Sequence, residues 1–133
     1  GEVHILCASA GAAVAAEEAA KLDGAAKVLA ADDPAYGHDL AEPVAALIQS
    51  IAGDYSHIVA PSTAASKNIL PRVAAMLDVM VVSEVTAVID AKTGRSARGA
   101  WSFRSQSAAE KHGVKRRIVS RRQKPLQGGI YFA

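Results

Sequence analysis

Cysteine is almost missing from this chain of 133 residues: Cys7 stands alone. That excludes an internal disulfide framework and any cysteine-rich zinc site. A lone cysteine in an apolar stretch is usually a small buried hydrophobe. Aromatic residues are 5% of the chain, so its core must be aliphatic and small. No apolar run reaches the ~18 residues of a membrane span. No basic segment leads into an apolar one, so no signal peptide is visible. The first residue is Gly1, as expected of a chain that has lost its Met or been cut from a longer one. The four histidines, His4, His38, His57 and His112, share no i, i+4 helical spacing and make no metal pattern. His4 and His57 fall on predicted strands, where a satisfied structural histidine is the expectation. G-x-x-x-x-G-K-[ST] and G-x-G-x-x-G are absent, and no nucleophile elbow surrounds Ser9, Ser62 or Ser83. Nothing forms a catalytic constellation, so the chain is not expected to be an enzyme.

Acidic residues are also unevenly spread. Residues 1–92 carry 5 Lys+Arg and 12 Asp+Glu, a net of −7, while residues 93–133 carry 10 Lys+Arg and a single Glu, a net of +9. A swing of this size at one point predicts two segments of different character. The length fits one domain, able to bury roughly two thirds of its unfolded surface.

What is present is an alternation. Val3–Ala8 (VHILCA) reads as a buried strand, and Ser9 is placed to cap a helix over Ala10–Leu22. Glu17 and Lys21 sit i, i+4 on its outer side, and Gly24 is its expected left-handed stop. Lys27–Ala31 is the second strand. Asp32, Asp33 and Asp39 follow on a turn and a cap, where solvated carboxylates are the expectation. Asp39 with Glu42 resembles a capping box. Pro43 suggests that the regular helix begins there. Leu40, Val44, Leu47, Ile48 and Ile51 line one face of this helix.

The organising stretch is Asp54–Asp78. Tyr55–Ala60 is a strand, Pro61-Ser62-Thr63 stops it, and Thr63 or Ser66 caps a helix. Ile69, Leu70, Val73, Met76 and Leu77 share a face of that helix, which Pro71 is expected to kink. Ser62, Thr63, Ser66, Lys67 and Asn68 could cradle an anion or nucleotide at the helix start. An ordinary capped helix is the plainer reading. Val79–Ser83 and Val85–Ile89 follow as strands around Glu84. Strands alternating with helices argue for α/β with a parallel sheet. From Gly94 the periodicity fails. One short strand is expected near Val114 and Ile118-Val119, and a short apolar end at Ile130-Tyr131-Phe132. Lys115-Arg116-Arg117 and Arg121-Arg122, with Trp101 and Phe103, could contact nucleic acid. A basic, irregular, largely disordered tail is the plainer reading there.

The stretch SHIVAPSTAASKNILPRVAAMLDV, and above all KNILPRVAAMLD at Lys67–Asp78, resembles the electron transfer flavoprotein alpha subunit. The likeness extends through Val3–Ala8, Ala25–Asp33, Asp39–Ile58 and Val82–Thr93, so nearly all of residues 1–93 is covered and residues 94–133 are not. It implies a three-layer, doubly wound, mostly parallel sheet of the adenine-nucleotide-hydrolase type. It also implies that this N-terminal domain packs against a beta subunit. FAD would be held almost entirely by a further domain, with none expected on this chain alone. Electrons would pass from flavin dehydrogenases, such as acyl-CoA dehydrogenases, toward the respiratory chain. The setting would be a bacterial cytoplasm or a mitochondrial matrix.

Two departures stand out. Family members have a strand and a helix before the stretch matching Val3. That strand lies centrally, so the sheet here is expected to be incomplete, with a gap. After Thr93 the family pattern gives way to Gly94-Arg95-Ser96-Ala97-Arg98. This change is the one expected of out-of-frame translation. Two other readings stay open: a stand-alone nucleotide-binding module using Ser62–Asn68, and nucleic-acid binding through the basic tail.

Overall fold

A computed structural model describes residues 2–90, 95–98, 101–103, 117–121 and 129–132. The strands are β1 (Val3–Ser9), β2 (Ala25–Asp32), β3 (His57–Pro61), β4 (Val81–Asp90), β5 (Arg95–Arg98), β6 (Trp101–Phe103), β7 (Arg117–Arg121) and β8 (Gly129–Phe132). The helices are α1 (Ala12–Ala19), α2 (Ala41–Ile51) and α3 (Ala64–Met76). The strands form one sheet in the order β2-β1-β8-β3-β7-β4-β5-β6.

β1 pairs parallel with β2, and β7 pairs parallel with both β3 and β4. β8 pairs antiparallel with β1 and β3, and β5 antiparallel with β4 and β6. Six described strands therefore run one way, and only β8 and β5 oppose them. The α/β expectation holds. The chain steps from β1 to β2 in one direction across the sheet, then back from β2 to β3 in the other. Right-handed crossovers that reverse direction place their helices on opposite faces.

The core shows that reversal residue by residue. Side chains alternate across a strand, so Ile5 and Cys7 point to one face and Leu6 to the other. Ile5 and Cys7 are buried with Ala12 and Ala19 of α1, and Val28 packs against them. Leu6 is buried with Ile58 and Ala60 of β3 beneath α2 (Val44, Ala45, Ile48) and α3 (Ile69, Leu70, Val73, Ala74). The result is three layers: α1, sheet, then α2 with α3. Buried alanines at 41, 45 and 74 let α2 and α3 approach closely.

Several local expectations are corrected. Ser9 ends β1 instead of capping α1; the N-cap is Gly11, at φ 82°, with no side-chain cap. Lys21 bonds Glu18 at 2.9 Å, the i, i+3 partner, not Glu17. α2 starts at Ala41 with Leu40 as N-cap, and no side chain caps it. Pro43 lies inside its first turn, where N–H groups have no helical acceptor to lose. As expected, Pro71 lies inside α3, which runs from Ala64 to Met76. The two strands expected around Glu84 are the single strand β4. The first helix ends at Ala19 with Ala20 as its C-cap, short of the expected Leu22, and Gly24, at φ +90°, lies in the turn into β2 instead of stopping the helix.

In the basic segment, the strand expected near Ile118-Val119 is β7, and the apolar end is β8. β5 and β6 carry no sequence signal. Expectations for residues 104–116 and 122–128, including Lys115, Arg116 and Arg122, lie outside the described residues. β8 occupies the place between β1 and β3, where the resemblance implies a gap.

Candidate functional site

In an open doubly wound sheet, ligands bind beyond the carboxyl ends of the strands, where the winding direction reverses. Here that point lies between β1, which feeds α1, and β3, which feeds α3. Two turns flank it: Ala10-Gly11 and Ser62-Thr63.

The first turn is tied down by the chain itself. Asp32 Oδ1, at the end of β2, accepts a hydrogen bond from the Gly11 amide at 2.8 Å. The carboxylate thus sits at the positive end of α1, where an anion is stabilised. Asp33 Oδ1 accepts from the Ala35 amide at 2.8 Å and opens a short 3-10 segment over Pro34–Asp39. Asp32 and Asp33 therefore do local capping work and are more than solvated turn residues. The alternation of the sequence does not reveal the Asp32 contact, because its partner lies 21 positions away.

At the second turn, Thr63 is the N-cap of α3. Its Oγ1 accepts from the Ser66 amide at 3.2 Å and donates to Ser66 Oγ at 3.1 Å. Ser66 is 5% exposed, a buried hydroxyl answered by Thr63. Ser62 is half-buried, and Lys67 and Asn68 are exposed on the first turns of α3. The fold brings Ser62, Thr63 and Ser66 together at the end of β3. Lys67 and Asn68 follow at the next two helix positions.

A second polar group lies at the opposite, amino end of the strands. His4 Nδ1 meets Tyr55 Oη at 2.9 Å, the rings edge to face, and His4 Nε2 lies 3.7 Å from Glu2. Burial, and secondarily the Asp54 charge, raise the Tyr55 phenol above its ordinary value. His57 Nδ1 lies 2.9 Å from Ser56 Oγ. Both strand histidines have the structural partners expected of them. Burial also raises the Cys7 thiol, which suits a packing residue better than a nucleophile. Among the described residues, no three His, Cys, Asp or Glu side chains gather as metal ligands. Among the same residues, no helix is long and apolar enough to cross a membrane.

Fold and site together define a doubly wound α/β domain whose two carboxyl-end turns are capped internally. The electron transfer flavoprotein domain profile matches residues 1–120, past the Thr93 boundary and into β7. The chain belongs to the electron transfer flavoprotein domain family. It is 64% identical over 93 residues to the electron transfer flavoprotein subunit alpha of Paracoccus denitrificans, covering 70% of this chain and 30% of that protein. It is 50% identical over 93 residues to the subunit alpha of Pseudomonas aeruginosa, with the same shares covered. The mitochondrial subunit alpha of Oryza sativa subsp. indica is 50% identical over 64 residues, which cover 47% of this chain and 18% of that protein. The chain thus matches under a third of the length of each of these alpha subunits.

Proposed function

We propose that this chain is a piece of an electron transfer flavoprotein alpha subunit, the part that docks on a beta subunit and supports the flavin-bearing remainder. The observation that carries this reading is the 64% identity over 93 residues, laid on a fold whose two carboxyl-end turns are tied down by Asp32 and Thr63. In the complete heterodimer, electrons would pass from flavin dehydrogenases, acyl-CoA dehydrogenases among them, toward the respiratory chain. FAD supplies the redox chemistry when bound. The described residues fit FAD poorly, because Asp32 and the Thr63–Ser66 pair occupy the two turns where a diphosphate would lie. The role of the chain's own residues is to pack and position. Bacterial cytoplasm or mitochondrial matrix suits the relatives named.

The proposed unit is residues 1–93, with residues 94–133 as a separate basic segment that lends strands to the sheet. Within the unit, Ser62, Thr63, Ser66, Lys67 and Asn68 are where an anion or nucleotide would bind, as a role secondary to capping. Thermal shift with AMP tests that role, because a ligand of the folded state raises its stability. The change of character at Thr93 is attributed to a shift of reading frame. The gene tests this: the family continuation should stand in another frame after the Thr93 codon, and its absence from every frame ends the idea.

Two measurements test the main reading. The purified chain should show no stoichiometric flavin absorbance in the visible range. Co-expressed with a beta subunit from a close relative, it should be retained on that subunit's affinity tag. Flavin on the isolated chain, or no retention, counts against it.

A further inference from the structure

β1 and β3 run in the same direction, yet they do not pair with each other. Within the sheet, β8 alone joins the β2–β1 pair to the β3–β7–β4 group. It is short for that position. Four of the seven β1 residues face it in register, His4 to Cys7, and two of the five β3 residues, Ile58 and Val59. It also opposes both neighbours, whereas β7 lies parallel to both of its own. β8 is last in chain order among the described strands, so no later described strand locks it in.

We propose that β8 is exchangeable between copies of this chain: the slot between β1 and β3 of one copy takes residues 129–132 of a second copy, and the second takes those of the first. Strand addition draws its affinity from main-chain hydrogen bonds. Those bonds, and the His4↔Phe132 to Cys7↔Gly129 register, are the same whichever copy supplies the strand. Reciprocal exchange of one element closes into a two-fold dimer and costs little beyond the ordering of two chains. The balance between internal and exchanged pairing is then set by protein concentration. This proposal does not depend on the family assignment.

The lone cysteine makes exchange readable. Its register partner on β8 is Gly129. Opposed residues of an antiparallel pair lie about 4.5–5.5 Å apart at Cα. A disulfide accepts about 4.4–6.8 Å. The test is Gly129→Cys in the full chain with oxidised glutathione as oxidant. Two thiols join in one S–S bond, and their two electrons and two protons reduce glutathione disulfide to two glutathiones. The expected result on a non-reducing gel is a linked dimer whose share rises across a hundredfold range of concentration, beside monomer closed on itself. Closed monomer alone at every concentration overturns the proposal, and so does the absence of any disulfide.

The unaltered chain provides a second readout if that variant fails to fold. A synthetic peptide of residues 127–133 carrying Gly129→Cys, activated as its glutathione mixed disulfide, is offered to the native chain. Cys7 is buried with Ala12 and Ala19, and a peptide seated in the β8 register places its residue 129 opposite it. Labelling of Cys7 by this peptide, at least tenfold faster than by one of the same composition in scrambled order, is expected. Equal labelling, or none, overturns it.

Discussion

The Val79 amide donates to the Ala74 carbonyl at 2.9 Å and so closes the end of α3. One residue earlier, the Asp78 amide reaches the Ala75 carbonyl at 3.3 Å. The two bonds together are a Schellman stop. It requires a left-handed residue at Asp78, which has φ 52°. Val79 also packs on the core that holds Ala74.

Asp78→Gly is therefore expected to stabilise the fold. A non-glycine residue in the left-handed region costs roughly 1 kcal/mol. Part of that gain is offset by the greater freedom of glycine in the unfolded chain. A net increase of about 0.5 kcal/mol should appear as a higher urea midpoint at unchanged slope. A lower midpoint would mean that the Asp78 side chain makes a contact worth more than the strain.

Thr63→Ala should destabilise by about 1–2 kcal/mol, the range for loss of an N-cap. It removes the acceptor for the Ser66 amide and the partner of the buried Ser66 hydroxyl. Thr63→Ser keeps both bonds and should stay within about 0.5 kcal/mol of the parent. Equal losses in the two variants would show that the Thr63 methyl matters more than its oxygen.

Ile48→Ala and Arg72→Ala probe the same helix pair with opposite expectations. Ile48 is fully buried between α2 and the sheet, and its truncation should cost about 2–5 kcal/mol. Arg72 bridges to Glu42 at 2.9 Å, but both side chains are largely in water. Its loss should cost under about 1 kcal/mol. Thermal unfolding of both variants decides; a costly Arg72→Ala would show that its stem, not its charge, holds α3 to α2.

Alkaline pH should weaken the fold through Cys7 and Tyr55. Both ionise from neutral to negative, and burial raises both in the folded state. Above the ordinary thiol value of 9.0 the unfolded chain loses its proton while the folded chain keeps it. The folded state then binds more protons, so stability falls as pH rises. Below that value these two groups add no slope. The phenol extends the decline past its ordinary 10.0. Urea midpoints taken from pH 7 upward should stay flat as far as these groups are concerned and then drop. Cys7→Ala should remove the early part of the drop, and an unchanged profile in that variant would exclude the thiol as its source.

Much of this fold is legible because its signals are local. The apolar run Val3–Ala8, the turn at Gly24 and the face made by Ile69, Leu70 and Val73 each announce an element within a few positions. Thr63 was one of two candidate caps, and the structure selects it. What the sequence hides depends on distant partners. Gly11 needs the Asp32 carboxylate and His4 needs Tyr55, and neither pairing leaves a periodic trace. Likewise β7 lies between β3 and β4 because those edges pair with it, not because its residues alternate. By residue type alone, the Ser62–Asn68 turn is a set of donors. In the folded chain Thr63 donates to Ser66 within that turn, a pairing that no spacing rule foresees.

The placement of β8 has a geometric consequence. Adjacent strands lie about 4.7–4.9 Å apart, so a strand between them holds β1 and β3 at about twice that distance. Gly11 and Thr63 follow the carboxyl ends of those two strands. The wedge that restores continuity to the sheet therefore also sets the interval between the two turns that lead into α1 and α3.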